Sequence, residues 1–125
     1  MLSTEPSEFV LRNGSLIEKS KAPLYPLFMV NLLKRISRFY YAESCGQCTP
    51  CREGTGWLYR ILDRITNGQG KSSDLALLED VAGRIEGNTI CAFGDASAWP
   101  VQSFLNHYHH EFEYMIKNNG KTMAA

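Results

Sequence analysis

The chain has 125 residues and carries 13 Lys and Arg against 13 Asp and Glu, so no excess of positive charge favours nucleic acid and no acidic excess marks a solvating segment. Its length suits one domain with a modest core. The most apolar run, Leu24 to Leu33, is broken by Pro26 and Asn31 and falls short of the roughly 20 residues a bilayer span needs, which excludes a direct membrane span there.

Residues 1–23 mix polar and apolar positions without a sustained period, and Pro6, Asn13-Gly14 and Pro23 punctuate them, so they read as an irregular leader. From Leu27 to about Ala42 the apolar positions Leu27 or Phe28, Leu32, Ile36, Phe39 and Tyr40 recur at helical spacing, with Pro26 in the first turn. A second helix is predicted from Glu53 or Thr55, with Trp57, Leu58, Ile61, Leu62 and Ile65 on one face and Asn67-Gly68 at its end. A third is capped by Ser72 or Ser73, favoured electrostatically by Asp74, and buries Leu75, Leu78, Ala82 and Ile85 before Gly87 ends it. A last helix is predicted to start with Pro100 and to run through Phe104, Leu105, Tyr108, Phe112, Met115 and Ile116. Four helices with short connections predict an all-α, antiparallel four-helix bundle over residues 24–119, with 120–125 as a disordered tail.

The chemistry-bearing residues fall in the connections. Cys45, Cys48 and Cys51 stand in one C-x2-C-x2-C loop, and Cys91 lies between the third and fourth helices. Four thiolates satisfy a 4Fe-4S cluster, and a tight triple plus one distant cysteine lets one loop wrap three corners while another closes the fourth. In an up-down-up-down bundle these two connections share one end, which predicts a cluster bound there by two loops. Structural zinc also takes four thiolates, but its usual form is two separated C-x2-C pairs. A metal-stapled interaction module therefore stands as the alternative. A disulfide framework calls for an oxidising compartment, and Met1 to Pro6 lacks both the basic start and the apolar core of a secretory signal. A thioredoxin-type C-x-x-C calls for a βαβ setting that the flanks do not offer.

With the second helix opening after Cys51, free backbone N–H groups and the positive end of its dipole are expected to face the cluster, and Arg52 adds a fixed charge beside Cys51. Those features raise a reduction potential, whereas burial beneath Ile90, Phe93 and Trp57 lowers it. A pairing of Arg52 with Glu53 or Glu43 is the structural alternative.

The segments Glu43-Ser44-Cys45-Gly46-Gln47-Cys48-Thr49-Pro50-Cys51-Arg52-Glu53-Gly54-Thr55 and Thr89-Ile90-Cys91-Ala92-Phe93-Gly94-Asp95-Ala96-Ser97-Ala98-Trp99-Pro100 closely resemble the C-terminal iron-sulfur domain of the flavoprotein subunit of NADH:quinone oxidoreductase, complex I. The resemblance runs from about Leu32 to Tyr114. It implies a 4Fe-4S cluster on Cys45, Cys48, Cys51 and Cys91 that relays single electrons from FMN to further iron-sulfur clusters in neighbouring subunits. It also implies a peripheral location, on the cytoplasmic face of the inner membrane in a bacterium or the matrix side in a mitochondrion. NAD-linked hydrogenases and formate dehydrogenases have relatives of that subunit. In the family, glycine-rich segments upstream hold NADH and FMN, and nothing in residues 1–23 resembles them, so this chain alone is not expected to oxidise NADH. It reads as a truncated, split or degraded form of the family, whose faces around Phe28 and Tyr41 would lack their flavin-domain cover.

His107, His110 and Glu111 share one face of the last helix and read as a solvated polar stripe opposite Phe104, Tyr108 and Phe112. Trp99 is expected to anchor that helix against the cysteine loop. Lys34, Arg35 and Arg38 read as an exposed face able to meet an acidic partner.

Overall fold

A computed structural model describes residues 24–122, with side chains from Met29 onward; the leader, the side chain of Phe28 and residues 123–125 lie outside the described residues. Four helices follow one another: α1 (Leu24–Glu43), α2 (Thr49–Thr66), α3 (Asp74–Ile85) and α4 (Ala92–Lys117). No strand occurs among the described residues. Helices α2 and α4 each pack against both α1 and α3, and they also meet across the middle. Leu33 of α1, Leu58, Leu62 and Ile65 of α2, Leu78 and Ile85 of α3, and Val101 and Phe112 of α4 fill the shared interior. Each such side chain contributes about 1.5–3 kcal/mol by leaving water.

The buried line of α1 differs from the expected one. Val30, Leu33 and Ser37 face the core, while Leu32 and Phe39 are exposed. Spacings of three and four join these core positions, and the polar Ser37 in the middle of the line weakens its apolar signal.

Two helix starts also differ. Helix α2 opens at Thr49, not Glu53, because Pro50 sits in its first turn, where a missing N–H costs nothing. Helix α4 opens at Ala92, and Pro100 lies inside it. A helix with eight residues ahead of its proline forgoes one hydrogen bond, to the carbonyl of Ala96, and here it continues regardless. The backbone leaves helical geometry later, at Tyr108 (φ −124°, ψ 29°).

At the start of α3 the capping differs in kind. Ser73 occupies the N-cap position but its side chain makes no capping bond. Asp74, almost wholly buried, holds the turn: its carboxylate accepts the Lys71 N–H at 2.9 Å and the Arg64 Nε at 3.1 Å, and Arg64 Nη2 completes a forked ion pair. The result ties the α2 C-terminus to the α3 N-terminus. After α4, the Gly120 N–H closes on the Met115 carbonyl at 2.8 Å.

Candidate iron-sulfur site

The α1–α2 connection forms the first wall of the site. Helix α1 ends as the Ser44 N–H bonds to the Tyr40 carbonyl, and Gly46 then takes φ +81°, a left-handed geometry that only glycine adopts without strain. Arg52 reaches back over this loop: its Nη1 donates to the Gly46 carbonyl at 2.9 Å, its Nη2 to Thr49 Oγ1 at 3.2 Å, and its Nε to Glu53 at 3.2 Å. The Glu53 pairing anticipated from sequence is present. The clamp on the loop goes beyond that expectation, and it gives Arg52 a positioning role.

The α3–α4 connection forms the second wall. Thr89 Oγ1 donates to the Cys91 carbonyl at 2.9 Å, and the Gly87 N–H donates to Asp95 in the first turn of α4 at 2.8 Å. Glu86, at the end of α3, accepts Gln102 Nε2 at 2.9 Å and Trp99 Nε1 at 2.8 Å, and these donors hold its carboxyl below the usual carboxylate range. Trp99 thus fastens α4 through a half-exposed ring, but to Glu86 at the end of α3 and not to the cysteine loop as anticipated. Gly94 is required by closeness: a Cβ there would lie 2.8 Å from Thr89 Cβ and nearer still to its Oγ1 and Cγ2.

The two connections meet. Cys45, Cys48, Cys51 and Cys91 all line one cavity of about 150 Å³, together with Ser44, Thr89 and Phe93. The Ile90 N–H points at Cys48 Sγ across 3.2 Å, bridging positions 42 apart in sequence, and Ser44 Oγ lies 3.3 Å from Cys51 Sγ. All four thiols are free, with Cys51 buried, Cys48 half-buried, and Cys45 and Cys91 exposed.

Two helix N-termini border this cavity, where sequence reasoning anticipates one. Cys48 is the N-cap of α2 and Cys91 the N-cap of α4, both with extended backbone and neither with a side-chain capping bond. Their first-turn N–H groups, save the proline's, lack intrahelical partners and bring the positive ends of two helix dipoles to the site. The expected lid is absent in part. Ile90 is 81% exposed and Trp57 is 52% exposed, so only Phe93 of the three lines the cavity.

Four thiols lining one cavity are a donor set that fits a cluster. A cubane distributes its cysteine sulfurs over four irons and asks only that they face a common space.

The family model described as the NADH-ubiquinone oxidoreductase-F iron-sulfur binding region matches residues 31–115. The chain belongs to this family. It is 51% identical over 92 residues to the corresponding NADH-quinone oxidoreductase subunit of Rickettsia typhi, covering 74% of this chain and 22% of that protein. It is 54% identical over 89 residues to the mitochondrial NADH dehydrogenase [ubiquinone] flavoprotein 1 of Dictyostelium discoideum, covering 71% of this chain and 19% of that protein. The chain thus spans about a fifth of the length of these relatives. The matched region contains both cysteine connections and supports an iron-sulfur electron-transfer role.

The remaining candidates lie elsewhere. His107 Nδ1 meets the Ser103 carbonyl at 2.8 Å, His109 pairs with Glu113 at 3.2 Å, and His110 is exposed, so the histidines do face solvent. Glu111 does not. It is 4% exposed, its Oε1 has no hydrogen-bond partner, and burial pushes its carboxyl up to about 7. No helix among the described residues is long and apolar enough to cross a membrane.

Proposed function

We propose that this chain is an electron-transfer domain, a four-helix bundle over residues 24–119 that holds a 4Fe-4S cluster at one end through Cys45, Cys48, Cys51 and Cys91. The observation that carries this reading is that two connections far apart in sequence bring four thiols to one cavity. When bound, the cluster supplies a one-electron redox centre. The chain's own contribution is to orient four thiolates, to aim the Ile90 N–H and the Ser44 hydroxyl at two of the sulfurs, and to hold the loop with Arg52. In this reading the domain works within an NADH dehydrogenase assembly, between FMN on a flavin domain and iron-sulfur centres on neighbouring subunits. That assembly places it peripherally, on the cytoplasmic face of a bacterial inner membrane or the mitochondrial matrix side.

The test is reversible reduction. Protein reconstituted with iron and sulfide under anaerobic conditions is expected to take up one electron from dithionite and return it on reoxidation, with the cluster spectrum restored. Cys91→Ser is expected to lose or degrade the four-iron signal while α-helix content holds. A normal four-iron signal in that variant refutes the role of Cys91, and a metal centre that cannot be reduced refutes electron transfer.

A further inference from the structure

Cys91 is carried by the part of α4 least braced by its own helical ladder. Pro100 has no N–H, so the Ala96 carbonyl goes without its helical bond and the first two turns of α4 join the rest by one bond fewer. Those turns bear Cys91 at their N-cap, with no side-chain capping bond to fix it. The other three cysteines differ, because Arg52 ties their loop down through the Gly46 carbonyl and Thr49 Oγ1. The bond from Thr89 Oγ1 to the Cys91 carbonyl is local, so where Cys91 stands follows from how the start of α4 sits against α3.

The end of α3 braces that start from outside. One carboxylate takes both bonds: Glu86 Oε2 accepts Trp99 Nε1 at 2.8 Å, and Glu86 Oε1 accepts Gln102 Nε2 at 2.9 Å. Trp99 immediately precedes Pro100 and Gln102 follows it, so Glu86 spans the interrupted stretch of ladder. The next residue adds a third tie, as the Gly87 N–H donates to Asp95 Oδ1 at 2.8 Å. Asp95, Trp99 and Gln102 follow one another at spacings of four and three, which puts them on one face of the helix. Neither Glu86 nor these three residues line the cysteine cavity, so any effect they have on a cluster passes through Cys91.

We propose that Glu86 is a positioning residue for the fourth cluster ligand: through Trp99 and Gln102 it latches the proline-interrupted start of α4 to α3, presents Cys91 to the cavity, and so retains the iron that Cys91 holds. This rests on the electron-transfer reading above. It assigns that reading a residue which touches neither the cluster nor its thiolates, and it makes the Cys91 corner the one that fails first when the latch is cut.

The test uses the full chain loaded with iron and sulfide. Iron and acid-labile sulfide are counted, and electron paramagnetic resonance is recorded after about one equivalent of ferricyanide. An oxidised cubane that loses its Cys91 corner releases one Fe²⁺ and leaves a three-iron, four-sulfide core; that core gives one electron to ferricyanide and becomes paramagnetic. The wild type is expected to keep about four irons per four sulfides and to stay silent, whereas Glu86→Ala is expected to fall to about three and to show the three-iron signal. Trp99→Phe with Gln102→Leu cuts the same two bonds from the α4 side and is expected to lose iron to the same extent, with nothing added when Glu86→Ala joins them. Glu86→Gln can accept the Trp99 N–H and donate to the Gln102 amide oxygen once that amide turns over, so it is expected to restore the four-iron centre without the charge. Asp80→Ala, which breaks the neighbouring exposed pair with Arg84, is expected to leave the cluster whole, and circular dichroism checks helix content throughout. A silent four-iron centre in Glu86→Ala, further loss in the triple variant, or equal loss in Glu86→Gln and Glu86→Ala overturns the latch. A wild-type chain that takes up no cluster would instead refute the electron-transfer reading, which separates the two.

Discussion

Replacing Ser44 by alanine tests how the chain sets the electron affinity of its site. The Ser44 hydroxyl lies 3.3 Å from Cys51 Sγ and also accepts the Gly46 N–H at 3.3 Å. A ligating thiolate has no proton to give, so in the loaded protein the hydroxyl must be the donor. Each added electron increases negative charge on the sulfurs, and a donor therefore stabilises the reduced form more than the oxidised one. One hydrogen bond is worth about 0.5–1.5 kcal/mol net. With about 59 mV corresponding to a tenfold change for one electron, or about 1.4 kcal/mol, Ser44→Ala is expected to lower the reduction potential by about 20–65 mV. Ser44→Thr keeps the hydroxyl and is expected to stay near the wild-type value. The assay is an anaerobic potentiometric titration followed by electron paramagnetic resonance at equal cluster content. A rise in potential, or no change in the alanine variant with an intact four-iron signal, refutes the reasoning.

Three further outcomes follow from the packing around the site and core. Gly94→Ala drives a methyl into Thr89 at the wall that carries Cys91, so it is expected to cost about 1–3 kcal/mol in thermal unfolding and to reduce cluster uptake; full uptake would show that the wall yields. Asp74→Ala removes the carboxylate shared by Arg64 and the Lys71 N–H, with an expected loss of about 2–4 kcal/mol in urea unfolding and little change in the cluster spectrum, since the α2–α3 turn lies outside the cavity lining. For Glu111, the folded chain keeps a proton up to about 7 that the unfolded chain releases above its ordinary 4.5, so stability falls as pH rises through that window and the full cost is present above it. Glu111→Gln is therefore expected to stabilise the chain by about 2–3 kcal/mol at pH 8 and hardly at pH 4, measured by denaturant titration; an equal effect at both pH values contradicts it.

The helices and the cysteine grouping are visible in the sequence because apolar spacing and thiol spacing are both local signals. The boundaries at the site are not, since Cys48 and Cys91 take N-cap positions without the side-chain bonds that make Ser, Thr, Asp or Asn recognisable there. Treating Pro100 as a helix start hides the first two turns of α4, whereas the same rule, left unapplied at Pro50, would place the start of α2 at Thr49 in place of Glu53 or Thr55. Grouping Glu111 with the histidines by chemistry obscures its position three residues after Tyr108 and four before Met115, which already puts it on the apolar side. Asp74 reads from sequence as a charge favouring a dipole, although its burial depends on Arg64, ten residues away and on another helix. The Arg52 clamp and the ring contacts from Phe39 to Phe93 depend likewise on how loops and helices meet, which no local pattern encodes.

The most direct measurement is iron, acid-labile sulfide and zinc content on anaerobically purified protein, with electron paramagnetic resonance before and after dithionite. The account predicts about four irons and four sulfides per chain, silent when oxidised and paramagnetic when reduced. One zinc per chain with no reducible centre, or no metal after reconstitution, would contradict it.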